Sequence, residues 1–298
     1  MKRNVRFKPR FKQWLPIVTA LGLSLTMPSI STAQALSVEA ETILQQGLSY
    51  VQQGDLDRAI ANFRQAVELA PSVPVTHYNL GLALRQQGQL QEAASAFWQA
   101  VHTDPNFTLA YVNLGATLLD GNNPEQAEEY LQQAIQVEPD LGIAHYNLGL
   151  VQRRQNKLAE AFESFRNAAE YSPQAPEVHY QIGLLYLQQN QLEGAETAFN
   201  NALALDDAYP EAHYNLGITR FRSGNPEAAL PSFERAIQLY PDFGHAYYSE
   251  GLALAELGRH EDATTKLQQA LNLYIAQGRS EWASNTQTQI DRIGALQQ

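Results

Sequence analysis

Apolar and polar positions recur along this 298-residue chain with a period of 34. Each period holds two stretches with the apolar spacing of an amphipathic helix, such as "AHYNLGLVQRRQ" and "LAEAFESFRNAAEY". A glycine stands in the first stretch at Gly47, Gly81, Gly115, Gly149, Gly183, Gly217 and Gly251. The second stretch carries Ala59, Ala93, Ala127, Ala161, Ala195, Ala229 and Ala263, then Phe63, Phe97, Leu131, Phe165, Phe199, Phe233 and Leu267. Ala66, Ala100, Ala134, Ala168, Ala202, Ala236 and Ala270 follow. Small residues let paired helices approach closely, and one bulky side chain fills the space between them. The turn joining the two stretches holds Gly54, Gly88, Asn122, Asn156, Asn190, Gly224 and Gly258. Glycine and asparagine are the residues that end helices in the left-handed conformation, so a helix-turn-helix is predicted seven times. Pro124 and Pro226, each after asparagine, suit the first turn of a second helix, whereas Pro231 inside one should cost a backbone hydrogen bond.

The period and its Gly, Ala and Phe positions, closed by Pro71, Pro105, Pro139, Pro173 and Pro241, resemble the tetratricopeptide repeat (TPR) family. Departures are mild. The family's tryptophan is replaced by Ile43, His77, Tyr111, His145, His179, His213 and Tyr247, and its closing proline by Asp207 and Ile275 in two units. The resemblance implies an all-α fold, an α-solenoid wound as a right-handed superhelix with a concave and a convex side. Seven units are expected at 40–73, 74–107, 108–141, 142–175, 176–209, 210–243 and 244–277. A single helix pair cannot bury both faces, so the units must stack. Gln46 and Glu250 replace the Leu or Ile of the five inner units, as expected where a face meets water. Residues 278–298 read as a capping helix, with Ser280 as its N-cap and Trp282, Thr286, Ile290 and Ile293 on the stripe that closes the last face.

The first 35 residues break the pattern. A basic head (Lys2, Arg3, Arg6, Lys8, Arg10, Lys12) precedes an apolar run from Trp14 to Met27 and the small-x-small triplet Ala33-Gln34-Ala35. This reads as a secretory signal peptide over 1–35, which places the mature chain in the periplasm or another extracytoplasmic space. The competing reading is an uncleaved membrane anchor formed by residues 14–35. Pro16, Pro28 and the Ser/Thr content argue against a spanning helix. Without the leader, 14 basic residues face 31 acidic ones, a net charge of −17. Such a surface repels phosphate backbones and anionic lipid, so neither nucleic acid nor a peripheral membrane is an expected partner. The absence of cysteine excludes disulfides, thiolate zinc sites and a lipid-bearing cysteine.

"HYNLG" occurs three times, and its polar residues are the candidate chemistry. His77, His145, His179 and His213 share one position. A ladder of ligands is one reading, but the rings replace the family's tryptophan and repeat at the 8–10 Å spacing of packed helices, so packing inside each unit is expected and no metal or cofactor. Asn79, Asn113, Asn147 and Asn215, with Gln181 in unit five, look like the asparagine ladder of the TPR superhelix in O-GlcNAc transferases, where amides hold a peptide backbone. The alternative is that they link neighbouring helices. Tyr78, Tyr146, Tyr180 and Tyr214 precede them and point into the concave face in family register. Arg85, Arg153 and Arg222 line the same groove, either to meet carboxylates or to relieve local repulsion. Leu48, Leu82, Ala116, Leu150, Leu184, Ile218 and Leu252 stand where the family's carboxylate clamp needs asparagine, which argues against capture of a partner's carboxy terminus. No P-loop, dinucleotide-binding glycine pattern or HExxH motif is present.

The expected protein is therefore a non-catalytic exported scaffold that takes an extended peptide or a helix in its groove, helping to assemble an envelope or membrane complex. The alternative is an accessory subunit of a cell-wall or glycan-processing enzyme. Mass spectrometry of the protein recovered after export should find an N-terminus near Leu36; a chain that retains Met1 contradicts the leader.

Overall fold

The computed structural model describes residues 36–296, so the expected leader over 1–35 lies outside the described residues. The described chain is all-α and divides into two compact units, up to Lys157 and from Leu158.

The first unit holds α1 (Val38–Gln53), α2 (Leu56–Leu69), α3 (Pro74–Gln86), α4 (Leu90–Thr103), α5 (Thr108–Asp120), α6 (Pro124–Val137) and α7 (Gly142–Arg154). Consecutive helices pack together, and the odd-numbered helices also touch each other, α3 against α5 and α5 against α7. The second unit holds α8 (Leu158–Tyr171), α9 (Pro176–Gln188), α10 (Leu192–Leu205), α11 (Pro210–Arg222), α12 (Pro226–Leu239), α13 (Gly244–Glu256), α14 (His260–Ala276) and α15 (Ser280–Leu296). There too the odd helices α9, α11 and α13 form a row, with the even helices packed behind them. Each unit is thus a stack of helix pairs.

The approach within each pair is set by glycine. A Cβ on Gly217 would lie 2.5 Å from the Phe233 ring, one on Gly81 2.7 Å from Phe97, and one on Gly115 2.6 Å from Leu131. Phe63, Phe97, Phe165, Phe199 and Phe233 are fully buried, and the flanking alanines have no exposed surface. All seven predicted turn residues adopt positive φ, with Asn122, Asn156 and Asn190 at 60–63°. Asn123 and Asn225 cap the helices that begin at Pro124 and Pro226, although only Asn225 uses its side chain, accepting from the Ala228 amide at 3.1 Å. Pro231 sits within a continuous α12 with its ring exposed. Arg220 reaches that stretch from α11, donating to the Ala228 carbonyl (3.3 Å) and the Ser232 hydroxyl (3.2 Å).

Two expectations about the ends need correction. Ser280 is the first residue of α15, and the carbonyl that accepts the opening helical bond belongs to Arg279 (2.9 Å from the Ala283 nitrogen). On the stripe, Thr286 and Ile293 are buried, Ile290 lies against the core, and Trp282 stays 37% exposed. Gln46 is exposed, but Glu250 is only 2% exposed. Its carboxylate accepts from Lys266 on α14 at 2.9 Å, and Lys266 also lies over the Tyr247 ring. Lys266 stands where the other units have Asn62, Ala96, Tyr130, Ser164, Ala198 and Ser232. A charged pair thus stands where the other units have an uncharged one, and a single sequence position could not reveal it.

Burial raises the Glu250 carboxyl above its ordinary range, with the Lys266 contact opposing the shift. A raised carboxyl binds its proton more tightly in the folded state, so its contribution to stability declines as pH rises through that value. Removing only Lys266 (Lys266→Ala) should destabilise the chain by about 3 kcal/mol, because a buried charge loses its partner. Restoring the inner-repeat chemistry with Glu250→Leu and Lys266→Ala together should recover this loss or exceed wild type by about 1–4 kcal/mol, measured by urea unfolding at pH 7. A double variant no more stable than Lys266→Ala alone would refute this account of the pair.

Candidate functional site

In each unit the row of odd helices carries the candidate residues. On α3 they fall on one stripe, Val75, Tyr78, Asn79, Leu82 and Arg85, the three-and-four spacing of a helix face. Tyr78, Asn79, Asn113, Tyr146, Asn147 and Gln181 are buried; Tyr180, Tyr214, Asn215, Arg85 and Arg153 are half-buried; Arg222 is exposed.

The asparagine amides turn back into the framework. Nδ2 donates to the carbonyl one turn earlier in every case: Asn79 to Val75 (2.8 Å), Asn113 to Leu109 (2.9 Å), Asn147 to Ile143 (2.9 Å) and Asn215 to Glu211 (2.8 Å). In two of the four the second N–H finds the tyrosine of the preceding repeat. Asn113 donates to the Tyr78 hydroxyl at 3.1 Å and Asn215 to the Tyr180 hydroxyl at 3.2 Å. Ser249 takes the asparagine position in the seventh repeat and bonds the Tyr214 hydroxyl. Each tyrosine ring also bridges repeats: Tyr78 lies 5.7 Å from Phe97 and 4.8 Å from Phe107, and Tyr214 lies 6.1 Å from Phe233 and 4.9 Å from Phe243. Burial pushes the Tyr78 hydroxyl up to about 12, against the opposing Asn113 hydrogen bond and the Arg85 charge. These phenols stay neutral as structural groups.

The histidines link repeats as well. His77 Nε2 lies 2.8 Å from the Pro71 carbonyl, His145 Nε2 2.8 Å from Pro139, and His213 Nε2 2.9 Å from Asp207. A carbonyl can only accept, so Nε2 carries the proton in each ring. Packing within a unit was expected; the rings instead also reach the carbonyl that closes the preceding one. Burial lowers the affinity of His179 for its proton. Among the described residues no group of three His, Asp or Glu side chains is placed to hold a metal ion.

The arginines tie neighbouring turns. Arg85 donates to Asp120 at 2.8 Å and to Asn113 Oδ1 at 3.4 Å. Arg154 and Arg222 each donate at 2.7 Å to a left-handed turn asparagine of the preceding repeat, Asn122 and Asn190. A further cluster at the end of the second unit had no signal in the period. His245 Nδ1 lies 2.8 Å from the Tyr274 hydroxyl and its Nε2 3.1 Å from Arg279, with Trp282 edge-on at 4.5 Å. Burial, reinforced by the Arg279 charge, pushes His245 down to about 4. Nε2 therefore accepts from Arg279 and the ring stays neutral.

The tetratricopeptide repeat family's sequence model matches residues 44–106, 112–176 and 214–280, and a second TPR model matches 183–224. The chain belongs to the tetratricopeptide repeat family. No curated protein matches it by sequence. Among solved structures, this TPR chain is similar to a tetratricopeptide repeat protein from Parabacteroides merdae (18% identity, 84% of this chain, 100% of the other, TM-score 0.65). It is also similar to PilW, described as a widely conserved type IV pilus biogenesis factor (18%, 69% and 95%, 0.63). YrrB, described as a TPR protein with an unusual peptide-binding site, aligns at 22% identity over 65% of this chain and 99% of its own, with a TM-score of 0.55. At these identities the likeness shows the fold. A TPR fold is a scaffold for protein–protein contact.

If the amide–phenol bond joins repeats, Tyr78→Phe and Asn113→Ala should each lower stability by about 1 kcal/mol, with Asn113→Ala the larger loss. Their double-mutant cycle, read from urea unfolding, should show coupling of about 0.5–1.5 kcal/mol. Strict additivity would separate the two side chains and contradict the bond.

Proposed function

We propose that this TPR protein is an exported, non-catalytic scaffold that binds protein partners along the odd-numbered helices of its units and helps assemble an envelope or membrane complex. One observation carries the reading: the repeated polar residues are spent on joining repeats, while a half-buried apolar and aromatic strip stays on the same helices. In the first unit that strip includes Val75, Leu82, Leu109 and Leu150. In the second it includes Tyr180, Tyr214 and Ile218. Half-exposed apolar area rimmed by polar groups suits a peptide or helix that contributes its own apolar side chains. Asn215, Arg153 and Arg222 are the polar candidates that keep some exposure beside it.

Export is supported by the basic head, apolar run and Ala33-Gln34-Ala35 triplet. No helix among the described residues is long and apolar enough to cross a membrane. The envelope-assembly reading is supported by the pilus biogenesis role described for one structural neighbour and the peptide-binding site described for another.

Site-specific photo-cross-linking in exporting cells tests the reading. A cross-linker at Leu82 or Ile218 should capture a discrete protein adduct, and one at the exposed Trp98 on α4 should not. Adducts confined to Trp98, or none at the two inner positions, would overturn the proposal.

A further inference from the structure

The seventh repeat ends in a cluster that joins three helices through one imidazole. His245, second residue of α13, is 6% exposed, and Tyr274 on α14 is fully buried. His245 Nδ1 lies 2.8 Å from the Tyr274 hydroxyl. Its Nε2 lies 3.1 Å from Nη1 of Arg279, in the turn that leads into α15. Trp282, in the first turn of α15, stands edge-on to the imidazole at 4.5 Å and to the Tyr248 ring at 6.1 Å. Gly278 turns the chain at φ 66°, and Gln277 beside it donates to the Asp242 carbonyl at 3.2 Å. The entry to α15 is thus fastened to the start of α13, with His245 at the fastening.

Imidazole can accept a hydrogen bond only while it is neutral. Nε2 accepts from Arg279, so Nδ1 carries the proton and donates to the Tyr274 oxygen. A second proton would land on Nε2, abolish the Arg279 bond and leave two positive charges at that 3.1 Å separation. Tyr214 on α11, Tyr248 on α13 and Tyr274 on α14 are phenols that burial keeps neutral. Asp242 before α13 and Glu281, Asp291 and Arg292 on α15 are exposed. Glu234 on α12 and Lys266 on α14 act on Glu250 instead. Arg279 is the charge that acts on the ring, and no carboxylate offsets it.

We propose that the α14–α15 junction is an acid-sensitive latch, in which protonation of His245 expels Arg279 and releases α15 from the seventh repeat. Ile290 and Ile293 on α15 pack in the cluster that holds Leu254 and Leu267, so release bares apolar surface at the end of the second unit. The latch does not depend on which partner the scaffold binds. Burial, reinforced by Arg279, holds the docked ring at about 4, against the ordinary 6.5 that a released ring regains. A base depressed in the closed state favours the open state as pH falls from the higher value towards the lower. Between pH 7.5 and pH 5 the opening equilibrium should therefore rise about 30-fold. Glu250 works in the opposite sense, because its raised carboxyl binds a proton better in the folded state.

The test is amide hydrogen exchange of the leaderless chain at pH 7.5 and pH 5, read by mass spectrometry. Each rate is divided by the intrinsic rate at that pH, which leaves the opening equilibrium. Protection of α15 should fall about 30-fold, and that of α9 in the same unit about threefold or less. In His245→Gln, whose amide can still donate and accept but takes no proton, α15 protection should change about threefold or less. Equal falls in α15 and α9, equal falls in wild type and variant, or no fall in wild type would overturn the proposal. Should the variant already lose α15 protection at pH 7.5, NMR titration of His245 in wild type decides. A midpoint well below 6.5 supports the latch, and an ordinary or higher one overturns it.

Discussion

Each helix pair depends on one contact, a glycine backbone against a ring or a leucine. The added Cβ distances of 2.5–2.7 Å leave no room for a methyl group at Gly47, Gly81, Gly115, Gly183, Gly217 or Gly251. Close approach fixes where the fully buried Phe sits, and the Phe in turn gives the tyrosine of its own repeat a surface to pack on. That tyrosine also touches the aromatic residue before the next repeat, Phe107, Tyr209 or Phe243. Pair geometry and repeat-to-repeat geometry are therefore one connected packing problem within each unit, as expected of an array stabilised by neighbour contacts.

The polar residues of the repeat serve the same end. A histidine reaches the carbonyl closing the preceding repeat, an amide reaches the preceding tyrosine, and arginine reaches a turn asparagine. The histidine and amide bonds satisfy groups that stacking would otherwise bury unpaired, whereas the arginine bond lies on the exposed turn. The recurring glycine, histidine and asparagine residues carry the stack; the half-buried apolar side chains on the same helices, such as Val75, Leu82 and Ile218, are the surface the proposed partner would meet.

Much of this was legible in the amino-acid order. A period of 34 forces equivalent residues into equivalent places, and only Gly or Asn at the turn predicted the left-handed backbone at all seven positions. What the period could not show was side-chain direction. Asn113 was placed correctly on its helix, yet whether its amide faced a partner or the Leu109 carbonyl depends on a rotamer. Glu250 looked like an end residue meeting water because its Lys266 partner lies on another helix. The His245–Tyr274–Arg279 cluster arises where α14, 17 residues against 14 in α12, runs on beyond the length of its counterpart, outside any periodic signal.

The central claim is that the recurring glycine, asparagine and histidine residues hold the stack while the half-buried apolar strip on the same helices meets the partner. A saturation scan of α3, α5, α9 and α11, scoring cellular abundance and partner retention separately, tests it most directly. Substitutions at Gly81, Asn113, His213 and Gly217 should lower abundance, whereas polar substitutions at Leu82, Leu109 and Ile218 should leave abundance intact and lower retention. Loss of retention at the repeated positions with abundance unchanged would contradict the account.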